Sequence, residues 1–405
     1  MHSKKAILCI GTLDSKGPEL QYVKNLINGK EHYRALVMDV GCLAKAYFEA
    51  DIKAEEVAAA AGTTIEEVRA ISEAGPATRI MTEGARKIVK ELYESGAFSG
   101  VISIGGGTGS GIAAAVLQEL PIGFPKFMLS SQKIVQAGIR KYVGTKDIVI
   151  MPSIADIAGL NRLTVDSLQK AVGAITGMMD TMIQENYEKP LVFMTMTGLS
   201  TGCGLAVKSL LEEKGFEVGV FHTIGVGGQT FEELVKSYPV KGVIELGMNE
   251  IGNELFGGLA SAGPHRLEAA GELGIPQIIT PGCIDILNFL GPETLPEQYA
   301  DRTICYHNPQ ATLPRVSADE LRLIASTIGE KLNRARGKVK FLVPLRGFSS
   351  IDCEGNDFYD PVANNAFMDT LKDSLRKDIE ILEINANIND SVFSESVVKE
   401  FLDIL

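Results

Sequence analysis

Five glycines fall within the seven residues Gly105-Gly106-Gly107-Thr108-Gly109-Ser110-Gly111. The run follows an apolar stretch, Gly100-Val101-Ile102-Ser103-Ile104, and leads into Ile112-Ala113-Ala114-Ala115-Val116-Leu117. Strand, glycine loop and helix in that order present several backbone N–H groups to one anion. Glycine adopts positive φ and removes the Cβ atoms that would hold a phosphate away. Thr108 and Ser110 add hydroxyl donors. The chemistry this predicts is recognition of a phosphate-bearing ligand. The run is neither a GxxxxGK[ST] loop nor a strict GxGxxG.

A second loop of similar character lies near the N-terminus, Gly11-Thr12-Leu13-Asp14-Ser15-Lys16-Gly17. A helix is expected from about Pro18, since proline suits the first helical turn. Gly11 and Gly17 permit tight turns. Thr12, Ser15 and Lys16 suit phosphate, and Asp14 suits Mg²⁺ or a ligand hydroxyl. A solvated turn with Asp14 capping the helix is the competing reading. Asp39 ends the next strand-like run, about 20 residues on, where an acid commonly binds ribose hydroxyls. A plain strand-end turn aspartate is the alternative there. Ser130, Ser131, Ser153 and Asp156 are expected at later strand ends, lining a base or sugar pocket.

The second half carries its own candidates. Thr197-Gly198-Leu199-Ser200-Thr201-Gly202-Cys203-Gly204 is rich in hydroxyls and glycine, and Gly225-Val226-Gly227-Gly228 follows the next strand. Arg266 offers a bidentate fork for a carboxylate or phosphate. His307 offers a general acid or base near neutral pH, and Asp285 a group to orient it. Cys283 suits a nucleophile if its thiolate is stabilised. Against these stand plainer roles: Arg266 paired with Glu254 or Glu268, His307 in a structural turn, and Cys283 in packing. There is no Ser-His-Asp order, no HExxH and no carboxylate pair at a diagnostic spacing. A small anionic metabolite is therefore expected as the second ligand, with no named reaction.

The elements that must position these residues alternate along the chain. Strands are expected near 6–11, 34–40, 100–105, 126–130 and 147–152. A second series is expected near 191–196, 217–221, 241–246, 276–280, 303–306, 338–343 and 379–384. Alternation with helices predicts an α/β fold with mainly parallel sheets. The two series match in order, as when Phe98-Ser99-Gly100-Val101-Ile102 parallels Val240-Lys241-Gly242-Val243-Ile244. Two Rossmann-like domains follow, 1–188 for the nucleotide and 189–405 for a substrate. The polar segment Glu185–Pro190 marks the boundary, after a long helix near 164–186. The first domain carries an extra helical stretch from Lys53 to Ser95, with Ile80, Ile88, Val89 and Leu92 at helical spacing.

The chain has 405 residues and a net charge of −12, which disfavours a general nucleic-acid or anionic-membrane surface. No apolar run approaches the roughly 20 residues of a spanning helix. The N-terminus shows no signal-peptide pattern, so a cytoplasmic location is expected. Six cysteines are scattered without a CxxC pair, so neither a zinc site nor a disulfide framework is indicated.

The two glycine loops, with Asp156-Ile157-Ala158-Gly159-Leu160-Asn161, Ser261-Ala262-Gly263-Pro264-His265-Arg266-Leu267-Glu268 and Tyr306-His307-Asn308-Pro309, resemble the ATP-binding domain family related to the tomato mosaic virus resistance protein. The resemblance covers essentially the whole chain. It implies two α/β subdomains, ATP in the first, and a homodimer or larger assembly. It does not supply a reaction. One departure stands out: Asn387-Ile388-Asn389-Asp390 has asparagine where the related pattern has histidine. An ATP-binding enzyme is the leading expectation. A nucleotide-dependent sensor without turnover is the alternative. A third reading, a tubulin-like GTPase, rests on the Gly105–Gly111 run alone.

Overall fold

Lys5–Gly11 (β1) is buried at every residue after Lys5, and Gly100–Gly105 (β3) at every residue. Such continuous burial belongs to parallel strands covered on both faces. In this computed structural model, which describes residues 4–131, 134–135, 138–181 and 188–405, they are central strands of a five-stranded sheet. The others are β2 (Tyr33–Asp39), β4 (Lys126–Ser130) and β5 (Val149–Pro152). The order is β2-β1-β3-β4-β5, parallel throughout. It reverses between β1 and β3, the place where open α/β sheets bind ligands.

The helical stretch after β2 resolves into α2 (Ala54–Ala60), α3 (Ile65–Ala70) and α4 (Ala74–Glu94), following α1 (Gly17–Asn28). Ala77, Met81, Ala85 and Val89 recur every fourth residue along α4 and are buried with Val57 and Ile112. Ile80, Ile88 and Leu92 pack against the same core. Gly84 is required at this crossing, because a Cβ there would lie 1.9 Å from the Val57 carbonyl oxygen. The apolar face of the stretch is thus used inside its own unit. The closing helix runs Arg162–Asp180, and residues 182–187 of the expected helix and boundary lie outside the described residues.

The chain divides into two units, Met1–Glu185 and Asn186–Leu405. In the second, β6 (Leu191–Met196), β7 (Glu217–His222), β8 (Gly242–Glu245) and β9 (Gln277–Ile279) belong to a six-stranded sheet. A hairpin intervenes, β10 (Ile304–Asn308) and β11 (Ala311–Pro314), before β12 (Val339–Pro344) and β13 (Glu380–Ile384) complete the sheet. Its order is β13-β12-β9-β8-β6-β7, again parallel throughout. Counted from the start of each unit, both sheets run 2-1-3-4-5, and the second adds a sixth strand. The expected pair of Rossmann-like domains with similar strand order is what the chain forms.

One strand differs from expectation. The run near 303–306 leaves the parallel sheet and pairs antiparallel with β11. The cause is local: the Asn308 side chain accepts the Gln310 N–H at 2.8 Å across Pro309, which reverses the chain. Among the described residues, no helix is long and apolar enough to cross a membrane.

Candidate functional site

A cavity of about 300 Å³ opens at the β1/β3 reversal. Thr12, Asp14, Ser15 and Lys16 line it from the loop after β1, and Gly106–Gly109 from the loop after β3. The latter loop leads into α5 (Gly107–Glu119). Three helices begin at this cavity: α1 behind Lys16, α4 with Ala74, Ala77 and Thr78, and α5 with Gly107–Gly109. None carries a side-chain cap. Away from the cavity α3 is capped by Thr64 and the helix Arg162–Asp180 by Asn161, while the start of α2 is uncapped as well. An uncapped helix start leaves N–H groups and the positive end of the dipole available. Each is worth about 0.3–1 kcal/mol to a nearby anion, and up to ~2 kcal/mol where partly buried.

The glycines of the loop serve different purposes. A Cβ on Gly105 would lie 2.7 Å from the Ser110 nitrogen, so packing alone requires glycine there. A Cβ on Gly106 would meet nothing nearer than Lys16 Cε at 4.0 Å. At Gly109 it would touch Thr12 only at ordinary contact distance, 3.6 Å. Neither residue has positive φ. Internal packing gives no reason for glycine at 106 and 109, but a ligand drawn against the backbone does.

Charge around the cavity is mixed in a useful way. Lys16 and Arg69 supply cations. The Lys16 ammonium donates to the Ile157 carbonyl, and Arg69 Nη2 donates to the Ala44 carbonyl at 3.0 Å. Thr12 and Ser15 hydroxyls pair at 2.7 Å. Asp14 Oδ2 accepts the Leu43 N–H at 2.7 Å and the Ala44 N–H at 3.3 Å. Its Oδ1 is buried without a hydrogen-bond partner.

The remaining sequence candidates of this unit sit elsewhere. Gly11 packs on Leu20 and Ile104, and Gly17 on Tyr47. Ser110 Oγ pairs with Ser130 Oγ at 2.6 Å inside the core, and Gly111 is exposed outside the cavity. Ser131 and Ser153 are buried without partners, and Asp156 Oδ1 accepts the Ile157 N–H. Asp39 is buried, with Oδ1 accepting from Leu13 N at 2.9 Å and Gly41 N at 2.8 Å. Burial pushes its carboxyl up to about 6, against those two hydrogen bonds. Sequence reasoning did not single out Val68, Arg69, Ile71, Ser72 and Thr78, which wall the cavity from α3, α4 and their connector. The available signal was an insertion placed straight after β2, the strand beside β1.

The second unit does not bring Arg266, Asp285 and His307 together. Arg266 is 1% exposed and ringed by glutamates. Nη1 and Nη2 grip Glu245 at 2.6 and 2.5 Å, Nε donates to Glu250 at 2.7 Å, and Nη1 to Glu232 at 3.1 Å. Burial works against its charge, but the three carboxylates outweigh burial and hold it protonated. Burial also pushes the Glu232 and Glu250 carboxyls up. Asp285 belongs to a different buried network. Its Oδ2 accepts from Ser349 Oγ at 2.8 Å, its Oδ1 has no partner, and Arg315 and Asp352 lie beside it. Burial, then Asp352, push its carboxyl up to about 7. His307 is exposed on the β10–β11 hairpin, at the register shift. Cys283 is fully buried with φ +59°, and burial raises its thiol far above the ordinary range, so no thiolate is prepared there. Asn387, at the departure from the histidine pattern, donates its amide to the carbonyls of Arg346, Gly347, Ser349 and Asp352 at 3.2–3.4 Å. It organises a loop.

Three helix starts in this unit are met from within by side chains. Asn389 Oδ1 accepts Cys203 N at 3.1 Å, Glu250 Oε1 accepts Gly225 N at 2.7 Å, and Glu232 Oε2 accepts Ala269 N at 2.8 Å.

Comparison with known proteins gives full-length relatives. A UPF0261 protein of Clostridium tetani is 40% identical over 99% of both chains. UPF0261 protein RA0729 of Rhizobium meliloti is 35% identical, again over 99% of both. The ToMV resistance protein Tm-1(GCR237) of Solanum lycopersicum is 30% identical over 98% of this chain, which spans 55% of that protein. A solved UDP-GlcNAc 2-epimerase of Neisseria meningitidis aligns with 98% of this chain and 100% of its own at 11% identity. Its TM-score is 0.24, too slight a likeness to carry an argument. The models of the uncharacterised protein family UPF0261 match at residues 5–184 for the N-terminal domain and 189–405 for the C-terminal domain, and the chain belongs to that family.

Proposed function

We propose that the first unit binds ATP, with its phosphates in the β1/β3 cavity. The observation that carries this reading is the convergence of three uncapped helix starts on one cavity. Lys16 and Arg69 supply balancing cations, and Gly106 and Gly109 leave room for phosphate oxygens. The cavity stands at the lower end of the roughly 300–1,000 Å³ usual for small-molecule sites. Mg²⁺ fits the same place. Asp14 lines the cavity, and its Oδ1, left without a hydrogen-bond partner, is a hard oxygen ligand. The ion would draw charge from the phosphates, while the chain's own residues hold and orient them. Among the described residues no cluster of three metal-ligating side chains exists, so phosphate oxygens and water would complete the shell.

An enzyme that acts on a small anionic metabolite remains the fuller form of this reading. A second reading is a nucleotide-dependent sensor without turnover. It is favoured by the lining, where, among the described residues, Asp14 is the one carboxylate and histidine is absent. Calorimetric titration with ATP and GTP, with and without Mg²⁺, tests the proposal. Micromolar or tighter ATP binding supports it, and no binding overturns it. GTP preferred over ATP, with filaments, supports the tubulin-like alternative. Steady ATP hydrolysis by the bound protein separates enzyme from sensor. Light scattering tests the homo-oligomer expected from the family resemblance.

A further inference from the structure

The β1/β3 cavity handles anions well and bases poorly. Among the described residues its lining holds hydroxyls, cations and aliphatic walls, with no asparagine, glutamine or histidine to read the edge of a purine. A second cavity, about 380 Å³, lies on the other side of Arg69, which lines both. Asp39, Lys45, Tyr47, Phe48 and Lys53 contribute to it. Building on the phosphate reading above, we infer that this second compartment takes the nucleoside end of the nucleotide, with the ribose on Asp39 and the base on Tyr47.

Asp39 is built for one free acceptor. It ends β2 directly opposite Gly11 of β1, and it is 3% exposed. Two backbone N–H groups, of Leu13 and Gly41, hold Oδ1 in place. No described residue donates to Oδ2, which is left for the compartment that Asp39 lines. A carboxylate oxygen fixed in this way accepts from the vicinal hydroxyls of a ribose. Inorganic polyphosphate has no such pair of hydroxyls.

Tyr47 is anchored by its backbone and free at its ring. Its N–H donates to the Leu13 carbonyl at 3.0 Å. A Cβ on Gly17 would lie 2.1 Å from Tyr47 Cβ, so Gly17 is what allows Tyr47 to sit against the start of α1. The side chain is nevertheless 64% exposed. An exposed ring on a fixed stem beside a phosphate cavity is a stacking platform, and stacking tolerates any base. The neighbouring Phe48 ring already has the Lys24 ammonium over its face at 5.2 Å, which leaves Tyr47 as the open surface.

The test is calorimetric titration of the full chain with ATP, 2′,3′-dideoxy-ATP and inorganic tripolyphosphate. Wild-type protein should bind ATP about tenfold or more tightly than tripolyphosphate, the scale of one stacked base. Tyr47→Ala should bring ATP down toward tripolyphosphate and leave tripolyphosphate unchanged. Dideoxy-ATP should bind more weakly than ATP to wild type and equally with it to Asp39→Asn, a variant that keeps the Oδ1 acceptor. If neither ATP nor tripolyphosphate binds, the phosphate cavity itself is misread. If ATP and tripolyphosphate bind alike, or ATP is preferred but insensitive to Tyr47→Ala and to loss of the hydroxyls, the phosphate reading stands and the second compartment is overturned.

Discussion

Glu250 Oε1 accepts the Gly228 N–H at 3.0 Å, at the start of the helix Val226–Val235. A Cβ on Gly228 would lie 2.0 Å from Glu250 Oε2, so carboxylate and helix start are in direct contact. The second unit therefore carries its own anion where a glycine-rich turn opens a helix. The first unit, with the same strand order, leaves Gly106–Gly109 without such a group. The two turns follow different strands, the second in one unit and the third in the other, and among the described residues only the former is met by a buried carboxylate.

Arg266→Met should unfold the second unit early. Three buried carboxylates would face no cation, and breaking a buried ion network typically costs about 3–5 kcal/mol. Urea denaturation followed by a second-unit probe measures this. An anion clamp would behave differently, with affinity lost and stability kept.

Gly105→Ala and Gly106→Val should separate folding from binding. The first sets a Cβ 2.7 Å from the Ser110 nitrogen and should lower the midpoint of denaturation. The second meets open space and should keep stability within about 1 kcal/mol. It should nonetheless reduce ATP affinity at least tenfold by filling the phosphate path. Paired denaturation and titration experiments check both.

Lys16→Ala should weaken ATP and tripolyphosphate together, by about tenfold, and flatten the dependence of affinity on salt. Titrations at low and high ionic strength read the slope. An unchanged slope would remove Lys16 from the phosphate contacts.

Asp285→Asn should change stability in a pH-dependent way. The folded carboxyl lies near 7, above its ordinary 3.8, because burial and Asp352 disfavour the charge. The folded state therefore binds the extra proton between those values, and wild-type stability falls as pH rises through about 7. The asparagine variant lacks that loss. Its advantage over wild type should grow from pH 4 to pH 8 in thermal melts.

His307→Ala should leave stability within about 0.5 kcal/mol, as for other exposed positions. ATP titration should be unchanged as well. A loss of affinity would assign the hairpin a role in the ligand site.

The central strands were legible because their runs are mostly apolar and covered on both faces. Val101-Ile102-Ser103-Ile104 before Gly105 is such a case, and the loop after it lines a cavity. Arg69 was not legible. Nothing local distinguishes it from other helix-surface arginines, and its place comes from how α3 packs after β2. Arg266 misled for the opposite reason. Its loop reads like a clamp, while its partners Glu232, Glu245 and Glu250 come from three separate elements whose burial no local pattern announces. His307 depended on one turn, Asn308–Gln310, which decided between a sheet rim and a free hairpin.

Among the described residues, each hydrophobic core cluster is made of residues from one unit. The α4 residues Ala77 and Met81 tie the cavity wall into the core of the first. A ligand bound there would act as a thermodynamic brace on the first unit. At a hundred times its dissociation constant it would add about 2.7 kcal/mol to the first unit's stability. In scanning calorimetry one endotherm should climb with nucleotide concentration while the other stays where it is, so that the heat-capacity trace itself reports which half of the chain is occupied.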